Sequence, residues 1–246
     1  MRSIIGKIID ANKEFQLIED GDKVAVGVSG GKDSISLLYG LSLFQKFTKI
    51  NFELVGITLQ LGFPDMDFKR TIEFCQEKNI EYHIIPTRVY DILKENTDKN
   101  GNIQCSLCSK FKKGILINEA KKIGCNKVAM AHHFDDAIET LFMNAIYNGF
   151  LATFKPKMYL EESNVTFIRP LLLCTEKNII RAVRKNHLPI VESKCPMDKK
   201  TSRETIKNWL NNDVYKRFPT SKLNFQNMLL HPERVILWDN NEGANK

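Results

Sequence analysis

Three stretches of this chain carry residue types at spacings that can do chemistry. The first is Ser29-Gly30-Gly31-Lys32-Asp33-Ser34, which follows the apolar run Val24 to Val28. Adjacent glycines let backbone N–H groups close on an anion, and a helix opening at Lys32 turns its positive dipole end toward it. Ser29 and Ser34 can add hydroxyl donors, and Lys32 a neutralising charge. Asp33 beside a phosphate is repulsive unless a divalent cation such as Mg²⁺ bridges them. A Gly-Gly turn alone would suit any strand-to-helix connection, but the whole hexapeptide behind a strand is a far more specific signal. Its spacing is neither G-x-x-x-x-G-K-S/T nor G-x-G-x-x-G, so it is not a Walker loop or a dinucleotide fingerprint.

The second stretch, Cys105-Ser106-Leu107-Cys108, opens a basic helical pattern carrying Lys110, Lys112 and Lys113. A helix N-terminus and nearby lysines favour thiolates. Taken alone, such a pair is open between zinc binding, redox chemistry and chance. Cys195, in "ESKCPMD", is a third candidate, and three cysteines without a fourth suit an iron–sulfur cluster with one open iron better than a closed zinc site. Cys75, Cys125 and Cys174 sit in apolar patterns and read as small buried hydrophobes.

The third stretch is "AMAHHFDDAIET", in which His132, His133, Asp135 and Asp136 stand where a strand gives way to a helix. One of the two acids reads as an ordinary helix-start residue. The other can hold a metal, and the histidines can donate to phosphate or substrate, or simply pack.

These residues need a scaffold, and the apolar periodicity supplies one. Strands are expected at Lys23–Val28, Phe52–Leu59, Glu81–Ile85 and Lys127–Ala131. Helices are expected at Ile4–Ile18, Lys32–Phe47, Asp67–Lys78, Ser106–Ile123 and Asp135–Tyr147. Alternation of this kind predicts an α/β fold, a doubly wound and mostly parallel sheet of Rossmann-like type. Lys94 to Gln104 reads as a loop. Beyond residue 150, two β-like stretches (Lys157–Glu161 and Val165–Leu173) precede helices at Glu176–Asn186 and Thr201–Asn212. The last residues, "DNNEGANK", are expected to fray. The expected organisation is an N-terminal helical extension over 1–22, a nucleotide-binding domain over 23–190, and a C-terminal helical segment over 191–246 that carries Cys195.

Composition sets the outer limits. With 43% hydrophobic and 26% charged residues in 246, the chain can bury a sizeable core. A formal net charge of +7 is a mild bias toward polyanions such as nucleic acid. No signal peptide or spanning apolar run is visible, so a cytoplasmic protein without a membrane partner is expected. In a reducing compartment its six cysteines are not read as structural disulfides.

The hexapeptide SGGKDS resembles the PP-loop of the N-type ATP pyrophosphatases. Together with CSLC, AHHFDD and Cys195 in this order, the chain resembles the tRNA 2-thiolation enzymes of the TtcA group. The likeness runs from "FQLIEDGDKVAVGVSGGKDS" through "FIRPLL" to "CPMDKKTSRETIKNWL", over roughly residues 10 to 215. It implies ATP as co-substrate, bound by Ser29, Gly30, Gly31, Lys32, Asp33 and Ser34 with help from His132. It implies adenylylation of the 2-carbonyl of a tRNA pyrimidine, cytidine 32 above all, and displacement of AMP by sulfur. It further implies a [4Fe–4S] cluster on Cys105, Cys108 and Cys195, with Asp33, Asp135 and Lys112 assisting catalysis or binding Mg²⁺. The expected partners are tRNA, a sulfur donor such as a cysteine desulfurase or inorganic sulfide, and a second copy as homodimer. Two departures stand out. Cys195 is followed by Pro-Met-Asp where the better-known 2-thiocytidine enzymes carry a second CxxC, and Gln60 stands where relatives place an acid. A lysidine- or amide-forming PP-loop ligase, a persulfide thiolase without a cluster and a zinc-stabilised RNA-binding module are the alternatives weighed.

Overall fold

The computed structural model describes residues 1–99, 101–198 and 200–236. The "DNNEGANK" tail expected to fray lies outside them. The elements run α1 (Arg2–Phe15), β1 (Lys23–Gly27), α2 (Lys32–Phe47), β2 (Glu53–Gln60), α3 (Lys69–Lys78), β3 (Glu81–Pro86), α4 (Val89–Glu95) and α5 (Cys105–Lys122). They continue through β4 (Lys127–Ala129), α6 (Phe134–Met143), β5 (Lys157–Leu160), β6 (Val165–Ile168) and α7 (Glu176–Asn186). Three helices follow: α8 (Ser202–Trp209), α9 (Tyr215–Arg217) and α10 (Ser221–Leu230).

The strands form one six-stranded sheet in the order β3-β2-β1-β4-β6-β5. All pairs are parallel except β5 with β6, which the short turn ending at Asn164 (φ 53°) folds back as a hairpin. The expected doubly wound, mostly parallel sheet is therefore what forms. Its central strands are buried on both faces because alternate residues feed two cores. Val24 and Val26 meet α1, α2 and α7 through Ile8, Leu38 and Ile179, whereas Ala25 meets α5 through Leu116 and Ala120. Two smaller clusters matter for the site. Phe134 and Ile138 of α6 pack with Ile206 and Leu210 of the C-terminal helices, and Val89 and Leu93 of α4 pack with Cys108.

Several boundaries differ from the sequence expectation for local reasons. The strand expected over Val165–Leu173 stops at Ile168, since Pro170 brings no N–H to continue a ladder. The helix expected to reach Tyr147 ends at Met143 and widens into a π-helical turn, Asn144–Asn148, closed by Gly149 in a left-handed conformation. The helix α1 stops at Phe15 because Gln16 turns left-handed (φ 49°), leaving Ile18 buried outside it. Helix α4, and α9 and α10 beyond Asn212, had no counterpart in the sequence reading. Among the described residues no helix is long and apolar enough to cross a membrane.

Candidate active site

From β1 the chain winds one way to β2 and β3, and β4 then lands on the other side of β1. The gap beyond the carboxyl ends of β1 and β4 is thus a topological switch point, where open α/β sheets bind ligands. The glycine loop leaves β1 there, and Met130 to His133 leave β4.

Gly30 adopts φ +87°, and a Cβ on it would lie 2.8 Å from Cβ of Val191. The loop braces itself: Ser29 N donates to Ser34 Oγ (3.1 Å), Ser34 Oγ donates to the Gly31 carbonyl (3.0 Å), and Gly31 N donates to Ser29 Oγ (3.4 Å). Ser34 is buried, so its hydroxyl shapes the turn, while Ser29 lines the neighbouring cavity. Lys32 Nζ pairs with Asp33 Oδ2 at 3.0 Å and Glu176 Oε1 at 3.1 Å. Burial works against its charge, but Asp33 and Glu176 more than offset that and raise its pKa. Glu176 Oε1 also holds Lys207 Nζ of α8 at 2.7 Å. Burial alone would push the Glu176 carboxyl up, yet the two lysines bring it down to about 2.

Asp33 Oδ1 is buried with no hydrogen-bond partner among the described residues, and so is His133 Nδ1. His133 Nε2 lies 3.7 Å from that Asp33 oxygen, too long for a hydrogen bond. An orphaned, buried carboxylate oxygen beside an anion loop is chemically suited to a divalent cation. The two acids of the third stretch separate in role. Asp136 takes the helix-start task by accepting from His133 N at 2.9 Å. Asp135 is buried, accepts from Glu176 N at 2.8 Å and pairs with Lys222 Nζ of α10.

A cavity of about 460 Å³ extends from the loop, lined by Val28, Ser29, Lys112, Met130, His132 and Arg169 among others. Gly27 admits α5 to this cavity wall, since a Cβ there would stand 2.8 Å from Leu116 Cδ2. His132 Nδ1 accepts from Arg169 Nε at 3.3 Å, and its ring lies 4.9 Å from that of Phe154. The Arg169 guanidinium sits 4.8 Å over the same Phe154 ring. Burial first, then the Arg169 charge, lowers the His132 pKa to about 4 against the pull of Asp136. The imidazole is therefore neutral near pH 7, and the Arg169 bond leaves its proton on Nε2.

Cys105 opens α5 and is exposed, whereas Cys108 is buried under α4. Burial pushes the Cys108 thiol up, Lys112 pulls it down, and charge on Cys195 and Cys105 pushes it up again. Cys108 thus feels the charge of both other cysteines, although Cys105 shares its helix and Cys195 comes from a distant segment. Lys112 shares the helix face of Cys108, four residues on. Among the described residues no group of three or more His, Cys, Asp or Glu side chains stands in a metal-ligating arrangement. Cys75, Cys125 and Cys174 are buried as expected, their thiols pushed up to about 11, 11 and 12. Glu176 and Lys222 lie in no motif singled out in the sequence, and Lys207 stood in "CPMDKKTSRETIKNWL" without an assigned task. Arg169 stood in "FIRPLL" without an assigned task.

Sheet order, switch-point loop and adjoining cavity together define a PP-loop protein of the nucleotide-binding α/β class. The PP-loop domain family matches residues 5–214. The tRNA-cytidine(32) 2-sulfurtransferase of Geobacter sulfurreducens is 36% identical over 197 residues, covering 80% of this chain and 75% of that one. Its counterpart in Colwellia psychrerythraea is 37% identical over 223 residues, covering 89% and 68%. The chain belongs to this family of PP-loop tRNA-cytidine(32) 2-sulfurtransferases. It also shares its fold with a U34-tRNA thiolase, NcsA from Methanococcus maripaludis, solved with its [4Fe–4S] cluster. There the TM-score is 0.72 at 24% identity, over 97% of this chain and 80% of that one.

Proposed function

We propose that this protein is an ATP-dependent tRNA sulfurtransferase acting in the cytoplasm on cytidine 32. The observation that carries the reading is one cavity lined both by Ser29 of the anion loop and by Lys112, whose charge acts on Cys108. A ring carbonyl oxygen is a poor leaving group and must first become a phosphate ester. The 2-oxygen attacks the α-phosphorus of ATP and pyrophosphate departs. Sulfide, free in solution or released from a desulfurase persulfide by a two-electron thiol reductant, then attacks carbon 2, and the C–O bond breaks with AMP as leaving group.

The chain's own groups fit these steps. Residues 29–34 surround the β- and γ-phosphates with N–H groups and Lys32. Asp33 and its orphaned oxygen suit Mg²⁺, and Asp135 next to His133 is a second acid at the same edge. Lys112 stabilises charge growing on the phosphates, and neutral His132 donates from Nε2. Cys105, Cys108 and Cys195 are the residues that would hold a [4Fe–4S] cluster, which supplies an iron open to sulfide. A second reading, supported by the two cysteines three residues apart at the start of α5, is a persulfide on Cys105 or Cys108. Its outer sulfur attacks carbon 2 and expels AMP, and the other thiolate then breaks the S–S bond, leaving the thiocarbonyl and a Cys105–Cys108 disulfide that an external thiol reduces.

Mass spectrometry of tRNA nucleosides from cells with and without this protein tests the function. Loss of 2-thiocytidine is expected, and an unchanged level overturns the reading. Anaerobically purified protein should be brown and lose colour with Cys105→Ala. A colourless protein that still thiolates tRNA decides for the persulfide.

A further inference from the structure

The most unusual group of charges joins the anion loop to two distant helices through Lys32, Glu176 and Lys207. The two ammonium groups meet on one atom, Glu176 Oε1, at 3.1 Å and 2.7 Å. Lys32, Asp33 and Glu176 by themselves sum to a net negative charge beside a loop that must receive a polyanion. Lys207 restores neutrality. A carboxylate oxygen gripped by two lysines at the mouth of a phosphate loop has the charge and hydrogen-bonding character of a phosphate oxygen.

The placement of Lys207 is not casual. Its neighbour Ile206 is buried against Phe134 and Ile138 of α6. One turn earlier, Arg203 binds Thr140 Oγ1 at 3.0 Å and Glu139 Oε2 at 3.3 Å. Helix α8 is thereby held on α6 with Lys207 directed at the group that also binds Lys32. The side chains of Lys32 and Lys207 are both about 29% exposed, so solvent and ligand can reach them.

We propose that Lys207 is a second phosphate-binding lysine, and that Glu176 holds Lys207 and Lys32 in the empty site until the β- and γ-phosphates of ATP take its place. The pyrophosphate leaving group is then gripped from two sides: by the loop after β1, and by a helix that comes after the cysteine-bearing segment. This inference rests on the ATP-dependent reading above.

Titration calorimetry of the full-length protein with Mg-ATP, inorganic pyrophosphate and AMP tests it. Wild-type protein is the control: if it binds no ATP, the proposed function fails independently of Lys207. With ATP bound by wild type, Lys207→Gln should weaken ATP and pyrophosphate by about tenfold or more, the scale of one charged hydrogen bond, and leave AMP within twofold. Lys207→Arg should restore most of the loss. Glu176→Gln breaks the same ion pair but frees both lysines, and should tighten pyrophosphate binding several-fold. If Lys207 only braces α8 against α7, Glu176→Gln will instead match Lys207→Gln and weaken or leave unchanged all three ligands. That result overturns the proposal, as does an unchanged ATP affinity in Lys207→Gln. Should Lys207→Gln fail to fold, judged by circular dichroism, the direction of the Glu176→Gln effect decides alone.

Discussion

The backbone N–H of Val191 donates to the carbonyl oxygen of Gly30 at 2.9 Å, tying the segment that leads to Cys195 to the apex of the anion loop. The contact is side chain as well as backbone, since Val191 occupies the space a Cβ on Gly30 would need. The phosphate grip and the third cysteine are therefore mechanically joined, though their residues stand far apart in the chain.

Gly30→Ala should break this junction. The new methyl meets Val191 at 2.8 Å, in a backbone conformation (φ +87°) that L-residues disfavour. A loss of about 1–3 kcal/mol is expected in urea unfolding. ATP affinity should fall with it, and Cys195 should alkylate faster as its segment comes free.

Cysteine reactivity should sort by environment. In metal-free protein at pH 7.5, iodoacetamide should label exposed Cys105 first. The buried thiols Cys75, Cys125 and Cys174, pushed up to about 11, 11 and 12, should remain unlabelled until the protein unfolds. Peptide mass spectrometry over a time course reads the order.

His132 should shape the acid limb of stability. Its pKa falls from 6.5 to about 4 on folding, mainly through burial. Between those values the unfolded chain binds the proton more readily. Its contribution is thus fully present above pH 6.5 and lost as pH falls toward 4. His132→Gln should flatten the fall in Tm over that window.

Glu139 should act in the opposite sense. Burial, then the Asp136 charge, raises its carboxyl from 4.5 to about 7 against the pull of Arg203. The folded protein keeps this proton where the unfolded chain has lost it, so stability declines as pH rises from 4.5 to 7. Glu139→Gln should remove that slope, seen as a flatter Tm between pH 5 and 8.

Lys112→Gln separates the two halves of the site. Lys112 lines the cavity and lowers the Cys108 thiol pKa. The variant should retain its fold, since Lys112 is not part of either core around α5. Its kcat for pyrophosphate release should drop by about tenfold or more, measured as labelled pyrophosphate formed from γ-labelled ATP with bulk tRNA.

Much of this molecule was legible in the residues taken one stretch at a time. Strands alternating with helices announced a parallel sheet covered on both faces. SGGKDS announced an anion loop because only glycines allow that approach and that φ, and the cysteine pair announced its own helix start. These are local properties, set by backbone sterics and short spacings. What tertiary structure decided is which distant groups complete the site. Arg169 reaches His132 because β6 pairs with β4, and Lys207 and Lys222 reach Glu176 and Asp135 because α8 and α10 pack on α6. The segment leading to Cys195 meets the anion loop because Val191 seats on Gly30. A lone lysine or arginine on an amphipathic helix or strand end has no signature of its own. Its partner depends on which apolar face is buried where, and only the assembled cores determine that.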